Sequence, residues 1–255
     1  MAGLIRKDMY CLKKILKTFF IVTISVIVLS VLFIISSKYG NIAKGIEEMR
    51  AENELAEETF YSFFQMAVWL TLFIPISFLS MVVECFKEDK KAGFAKIVFS
   101  MPLDHKKIVG SRYLSCMLFA AVSLAGSLLA GFFVSLVSEV FKLQRLFGYI
   151  FCFSAALLIY MSFVMFMLYF LGVEKADFIQ CAPFVILFVA AVIWFQRKVF
   201  SLPEAEMEAA LSNLVDSISE IMTEKSGLLF LIALGCMALS FWGSCKVVKK
   251  RKGDI

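Results

Sequence analysis

Residues 112–137 read RYLSCMLFAAVSLAGSLLAGFFVSLV and are the clearest indication of the fold class. After its first residue it contains no charged side chain, and it is longer than the roughly 20 apolar residues that cross a bilayer as a helix. Within it Ser123, Ser127 and Gly131 recur at four-residue spacing, which lets two membrane helices approach closely. We therefore predict a transmembrane helix with one closely packed face, against either the same chain (the commoner case) or a second copy.

Similar apolar runs lie on both sides of this stretch. Of the 255 residues, 61% are hydrophobic and 18% charged, whereas a soluble domain is about 45–50% apolar and about 25% charged. We predict an all-α membrane protein with a single transmembrane domain over residues 1–255. Its six predicted spans are 18–36, 60–83, 112–137, 147–171, 178–195 and 227–244. Pro75 and Pro183 are candidate kinks in the second and fifth spans.

The charges of the connecting segments predict the orientation of the chain. If the segments alternate between two sides, one side carries 18 of the 26 Lys and Arg residues but only 8 of the 21 acids. That side holds both termini, the loop 84–111 and the segment 172–177, so the positive-inside rule places it in the cytoplasm. The segments 37–59, 138–146 and 196–226 are then extracellular. Aromatic residues near span ends agree with these boundaries, among them Tyr113, Tyr149, Tyr169, Trp194 and Trp242.

Two kinds of amphipathic helix are predicted outside the spans. In the leading segment Ile5, Met9, Leu12 and Leu16 recur at helical spacing among basic residues, which predicts an interfacial helix that turns into the first span. The alternative is a plain charged region before an uncleaved anchor. Outside the cell, residues 201–225 read as a short amphipathic helix rich in acids. It is either a solvated helix on the membrane face or part of an acidic vestibule that acts on cargo.

The sequence offers no candidate for catalysis, cofactor binding or metal binding. His105 is the one histidine, no acid lies in the middle of a span, and no GxxxxGK[ST] phosphate-binding loop occurs. The basic residues flank apolar segments instead of forming a stripe with aromatics, so nucleic-acid binding is not indicated. The seven cysteines avoid the predicted external loops, which favours apolar packing over a disulfide framework.

The loop after the second span reads ECFKEDKKAGFAKIVFSMPLDHKKIVGSRY, residues 84–113. Pro102 cannot continue a helix, and Asp104 is placed to cap a second helix that rises into the third span at Arg112. A mere tether needs neither an apolar face nor a cap, so an exposed apolar face here requires a membrane surface or a protein groove. The apolar face consists of Phe94, Ile97, Val98 and Met101.

Together with the N-terminal MAGLIRKDMYCLKK (1–14), this loop resembles the membrane subunit of type-2 ABC exporters. These are bacterial permeases of about this size that carry antibiotics, bacteriocins or other peptides outward. Asp104 stands where Ser or Thr is commoner in that family, and Arg112 replaces the usual Lys. The matching residues are Ser100, Met101, Pro102, Lys106, Lys107, Ile108, Val109 and Tyr113.

The resemblance implies roles for both segments. The leading helix, with Ile5, Met9, Leu12 and Leu16, becomes the elbow helix, and the loop 84–111 contains the coupling helix that docks on a separate ABC ATPase. That partner binds the ATP and Mg²⁺, so this chain itself holds no cofactor. Two permeases pair, as a homodimer or with a paralogue, in a bacterial plasma membrane. The implied docking residues are Glu84, Asp89, Lys90, Lys91, Gly93, Phe94, Ile97, Met101, Pro102 and Leu103.

The predicted function is therefore that of a non-enzymatic permease of an ATP-driven exporter. Because the spans offer Phe, Met and Ser but no charge, the expected substrate is amphipathic or hydrophobic, a peptide or an antibiotic. One alternative is an immunity or sensor protein that binds a toxin in the membrane without transporting it. The other is an intramembrane enzyme, for which the sequence provides no catalytic pair.

Overall fold

The computed structural model describes residues 2–11, 13–39, 71–72, 74–76, 82–94, 104–137, 143–198, 217, 222 and 224–251. Within these ranges the chain forms helices and turns, without a strand, as the predicted all-α class requires. Seven longer helices lie within the described ranges. They are α1 (Ala2–Cys11), α2 (Lys13–Tyr39), α3 (residues 82–91), α4 (His105–Val137), α5 (Leu143–Leu171), α6 (Ala176–Lys198) and α7 (Ser226–Arg251), with a 3₁₀ turn at Val173–Lys175 before α6.

Four of these helices, α4 to α7, are long and apolar enough to cross a membrane. Helix α2 adds a shorter apolar part, Leu16–Leu32, within the first predicted span. The third to sixth predicted spans fall inside α4, α5, α6 and α7, whereas most of the second, 60–83, lies outside the described residues. The described part of the chain thus confirms a multi-pass helical membrane protein, and the count of six spans stays a prediction. The extracellular helix predicted at 201–225 also lies almost wholly outside the described residues.

Helix α5 is the centre of the bundle. It packs most extensively on α7 and next on α4, and its Met161, Val164 and Met165 are fully buried. Close approach on the α4 side depends on Gly131, where an added Cβ would lie 2.8 Å from Ile150 Cδ1. The small-residue face predicted for this span therefore packs at Gly131 within the same chain.

Tyr113 has a different role from the one that its position at a span end indicated. It is buried, and its hydroxyl lies 2.6 Å from Ser240 Oγ and 2.9 Å from Ser244 Oγ on α7. Its ring also meets Phe241 edge-on. Interpreting Tyr113 as part of an interfacial belt was wrong, because its polar end is satisfied by two serines of a neighbouring helix. Trp242, by contrast, is exposed, with Lys246 Nζ 3.4 Å from its ring centroid.

Helix α6 is the least embedded of the long helices. Ala176 and Ile179 are buried at its beginning, but most of its later side chains, including Phe184 and Phe188, are exposed. The helix continues through Pro183, and Tyr160 Oη of α5 donates a hydrogen bond to the Gln180 carbonyl, 2.6 Å away. This helix therefore offers its apolar surface to the membrane or to another chain.

Candidate functional site

Four charged side chains from three helices meet at one end of the bundle. Lys7 and Asp8 come from α1, Asp89 from α3 and Arg112 from α4. Lys7 Nζ lies 2.6 Å from Asp89 Oδ1 and 3.2 Å from Asp8 Oδ1. Arg112 lies between the two acids, with Nη1 2.9 Å from Asp8 Oδ1 and Nη2 against Asp89 Oδ2. We call these four residues the ion cluster; its two cations and two anions balance in charge.

The ion cluster is largely removed from solvent. The side chain of Asp8 is 2% exposed and that of Arg112 10% exposed. Ser115 Oγ donates a further hydrogen bond to Asp8 Oδ2 at 3.1 Å. Charges so placed are stable only when each is paired and hydrogen-bonded, since an unpaired buried charge is costly. The cluster therefore holds α1, α3 and α4 in one relative position.

Burial also shifts ionisation in and beside the cluster. Loss of water around the ammonium lowers the pKa of Lys7, and the nearby positive charge of Arg112 lowers it further, against the raising effect of Asp8. Burial raises the pKa of the neighbouring Cys85 thiol to about 11. Cys85 therefore stays protonated at neutral pH, and its Sγ contacts Arg112 Nη1.

The sequence of α3 explains why one side of it faces the bundle. Val82, Val83, Cys85 and Phe86 are buried, and Asp89 follows Val82 after two turns on the same face. The Phe86 ring meets Tyr169 of α5 edge-on at 5.4 Å and also lies beneath Arg112, 5.3 Å from its guanidinium carbon. This helix is thus packed into the bundle, and only its opposite, polar face is free.

Two more ion pairs tie α3 to the start of α6. Lys87 Nζ lies 2.9 Å from Asp177, and Lys90 Nζ lies 2.9 Å from Glu174. The hydrogen bond to Asp177 raises the pKa of Lys87. Exposed pairs of this kind contribute little stability individually. Their value here is positional: they hold α3 beside residues 174–177 at one end of the bundle.

The described docking residues predicted from the sequence all lie at this end, and five have side-chain partners within the chain. Asp89 belongs to the ion cluster, and Phe94 lies with its ring 3.7 Å below Lys7 Nζ. The exposed fractions of the Lys90 and Lys91 side chains are 52% and 70%. Gly93 has a φ of 63° at the end of α3, a conformation that favours glycine. The remaining pairs are Glu84–Lys87, Lys90–Glu174 and Lys91–Glu88.

The rest of the predicted coupling segment lies outside the described residues, namely Ile97, Met101, Pro102 and Leu103. Beyond it the predicted cap is confirmed. Asp104 precedes α4, and its Oδ1 accepts a hydrogen bond from the Lys106 backbone N–H at 3.3 Å. The second helix of the loop therefore begins where the sequence indicates and carries Arg112 into the ion cluster.

Of the predicted elbow residues, Ile5 and Leu16 are partly buried and Met9 is 40% exposed, while Leu12 lies outside the described residues. The sequence reasoning missed Asp8, which fixes α1 to α4. Each of the two residues is nevertheless unusual in the sequence, although neither specifies the other. Asp8 is the single acid among the first 17 residues, and Arg112 is the single basic residue inside a predicted span. A charge at a membrane boundary is usually paired.

In the described ranges, no three His, Cys, Asp or Glu side chains are placed to hold a metal ion. Six cysteines there are free thiols: Cys85, Cys116, Cys152, Cys181, Cys236 and Cys245. Helix α3 lies on one side of the bundle and is linked by ion pairs to the amphipathic helix α1 and to the long apolar helix α4.

Comparison with known proteins adds one finding. A family model described as ABC-2 family transporter protein matches residues 59–249, about three quarters of the chain. The matched part includes α3 to α6, nearly all of α7, and the Asp89 and Arg112 members of the ion cluster. No curated protein matches the chain.

Proposed function

The chain belongs to the ABC-2 transporter family, and we propose that it is the membrane-spanning permease of an ATP-driven exporter. In this proposal a separate ABC ATPase binds ATP and Mg²⁺ and docks on the loop 84–111 at the cytoplasmic face. The chain itself is not an enzyme. It pairs with a second permease, identical or paralogous, in a bacterial plasma membrane with both termini in the cytoplasm.

The ion cluster is the observation that carries the proposal. A docking loop transmits motion only if it is rigidly attached to the helices that must move. Here Asp89 of α3 is bound to Lys7 of α1 and to Arg112 of α4. Because α4 continues for 33 residues from His105, displacement of α3 is transmitted to a helix that is long enough to cross the membrane. Such two-state movement of packed elements is how helices relay a conformational change.

The face of α3 that is free to meet a partner is polar. Glu88, Lys90 and Lys91 lie on it, whereas the buried face is already occupied by α4 and α5. We propose that these charged residues bound the docking surface and that Ile97, Met101, Pro102 and Leu103 supply its apolar part. Phe94 takes a different role, because its ring contacts Lys7; it supports the ion cluster from the docking side.

The proposed substrate is an amphipathic or hydrophobic molecule, a peptide or an antibiotic. This rests on the spans: the long apolar helices carry neutral polar groups such as Ser127 and Ser162, and their charges gather at the helix ends. A strongly ionic substrate would lack partners along such a path.

Docking is tested by co-expressing the chain with candidate ABC ATPases and measuring co-purification and ATPase activity in vesicles. We expect Met101→Asp to abolish pairing, because a charge replaces an apolar contact. Gln144→Asp, at an exposed position at the start of α5, should leave pairing intact. Phe94→Asp is the less specific variant, since it also places a carboxylate beside Lys7. Unchanged pairing in Met101→Asp contradicts the docking role of the loop.

A further inference from the structure

A cavity of about 250 Å³ lies between α4, α5 and α7. Met117, Ala121 and Leu124 of α4 form one wall, Ser154 and Leu157 of α5 a second, and side chains of α7 such as Phe230 the third, with Pro75 also contributing. Ala121 is exposed on the outer side of α4, so the cavity can be reached from the membrane. The ion cluster lies elsewhere and contributes no residue to it.

Ser154 contributes a polar group, its hydroxyl, to the wall of this cavity. Ser154 is 7% exposed, and its hydroxyl has no hydrogen-bond partner among the residues that the structure describes. Two other buried serines of α4 and α5 have partners: Ser127 Oγ donates to the Ser123 carbonyl at 3.1 Å, and Ser162 Oγ donates to the Ile159 carbonyl at 2.6 Å. A buried hydroxyl without a partner is unfavourable, so a ligand that supplies one gains affinity there.

Size and lining decide what kind of ligand fits. An apolar cavity of about 150 Å³ stays dry and takes up benzene, and one water occupies only about 30 Å³. A single water on Ser154 would therefore leave most of the 250 Å³ empty. Ser154 also lies seven residues, about 10 Å along the helix, inside the predicted start of its span at Phe147. The ester groups of phospholipids stay at the membrane boundary and do not reach that depth.

We propose that this cavity is a binding site for a small membrane-dissolved amphiphile, an apolar chain or ring with one hydroxyl or carbonyl group that pairs with Ser154. The molecule enters from the hydrocarbon region past Ala121, and its apolar part is buried against Leu157 and Phe230. Binding requires neither an ATPase nor transport, so this site stands independently of the proposed export function.

The test uses the full chain in phosphatidylcholine nanodiscs with a photoactivatable octanol that carries a diazirine in its chain, and peptide mapping by mass spectrometry. We expect saturable labelling of α4 and α5 at the cavity, competed by excess octanol. Labelling of exposed α6 residues such as Phe188 should rise linearly with probe. Ser154→Ala should lower apparent affinity about three- to tenfold, the factor that one hydrogen bond contributes. It should not change labelling by the matching diazirine alkane, which has no hydroxyl.

Two variants on the same helix separate cavity binding from general partition into lipid. Ala121→Phe fills the cavity mouth and should remove saturable labelling, while Leu129→Phe, at a position that is 57% exposed and does not line the cavity, should preserve it. Monodisperse elution and a thermal midpoint no lower than that of the wild type show that Ser154→Ala is folded. The proposal is overturned by non-saturable cavity labelling, by equal octanol affinity in wild type and Ser154→Ala, or by cavity labelling with a diazirine phosphatidylcholine instead.

Discussion

The substitution Asp89→Asn perturbs the ion cluster with the least change in shape. It removes the carboxylate that Lys7 Nζ meets at 2.6 Å and that Arg112 also contacts. Asp8 then remains as the single acid between two cations. Removing one partner of a buried pair costs roughly 3–5 kcal/mol, because the other charge stays buried. The Asp89 and Lys7 side chains are 15% and 21% exposed, so we expect the lower end, about 3 kcal/mol.

At about 2–4 °C per kcal/mol for a chain of this size, the thermal midpoint should fall by roughly 6–12 °C. The assay is heating of a detergent-solubilised fluorescent fusion followed by size-exclusion chromatography. The matched control is Glu88→Gln on the same helix, because Glu88 pairs with an exposed lysine, Lys91, at 2.8 Å. That control should leave the midpoint almost unchanged.

A double-variant cycle distinguishes loss of the pair from general damage to α3. Lys7→Met combined with Asp89→Asn removes a cation together with the anion, so the double variant should be more stable than the sum of the single effects predicts. We expect a coupling of about 1–3 kcal/mol. Additive effects, or an equal loss in Glu88→Gln and Asp89→Asn, would refute the reasoning that the cluster is a buried, mutually dependent unit.

Three further outcomes follow from the packing. Gly131→Leu should destabilise the chain by about 1–3 kcal/mol, because the new side chain collides with Ile150. The control Gly235→Leu, at a position with open space around it, should change the thermal midpoint little. Equal shifts of the midpoint in the two variants contradict close packing at Gly131. In a variant that keeps only Cys85, alkylation of this thiol by iodoacetamide, followed by peptide mass spectrometry, should be slow at pH 7.5 and faster at pH 9, because burial raises the thiol pKa to about 11. Rapid alkylation of folded protein at pH 7.5 contradicts this. Tyr113→Phe removes a hydroxyl that is hydrogen-bonded to two serines, so the free energy of unfolding should fall by about 1 kcal/mol in the same heating assay. An unchanged midpoint contradicts a stabilising role of these hydrogen bonds between α4 and α7.

The long helices could be predicted from the sequence because a membrane span is a local property. A run of apolar residues by itself indicates a membrane environment. Five of the six predicted spans lie within described helices. The cap at Asp104 was predictable for the same reason, since it acts on the backbone two residues away. Close packing at Gly131 was predictable, because small residues indicate it. Which helix packs there and supplies Ile150 was not predictable.

The ion cluster could not be predicted in the same way. Asp8 and Arg112 are 104 positions apart, and nothing local in either segment specifies the other. The buried face of α3 could not be predicted from the sequence for a related reason. Cys85 and Phe86 lie in a stretch rich in lysine and glutamate, so the loop appears solvated until the bundle shows which side is covered. Tyr113 likewise looked interfacial because its two serine partners lie on the last helix.

The central claim, that the free face of the loop 84–111 receives an ABC ATPase, is tested most directly by site-specific photo-crosslinking. A photoreactive amino acid replaces Lys91, which is 70% exposed beside the ion cluster, and, as control, exposed Gln144 at the start of α5. In vesicles that contain the chain and a candidate ABC ATPase with which it co-purifies, we expect an adduct of the two proteins from position 91 and none from position 144. An adduct from position 144, or none from position 91 while the subunits co-purify, would contradict it.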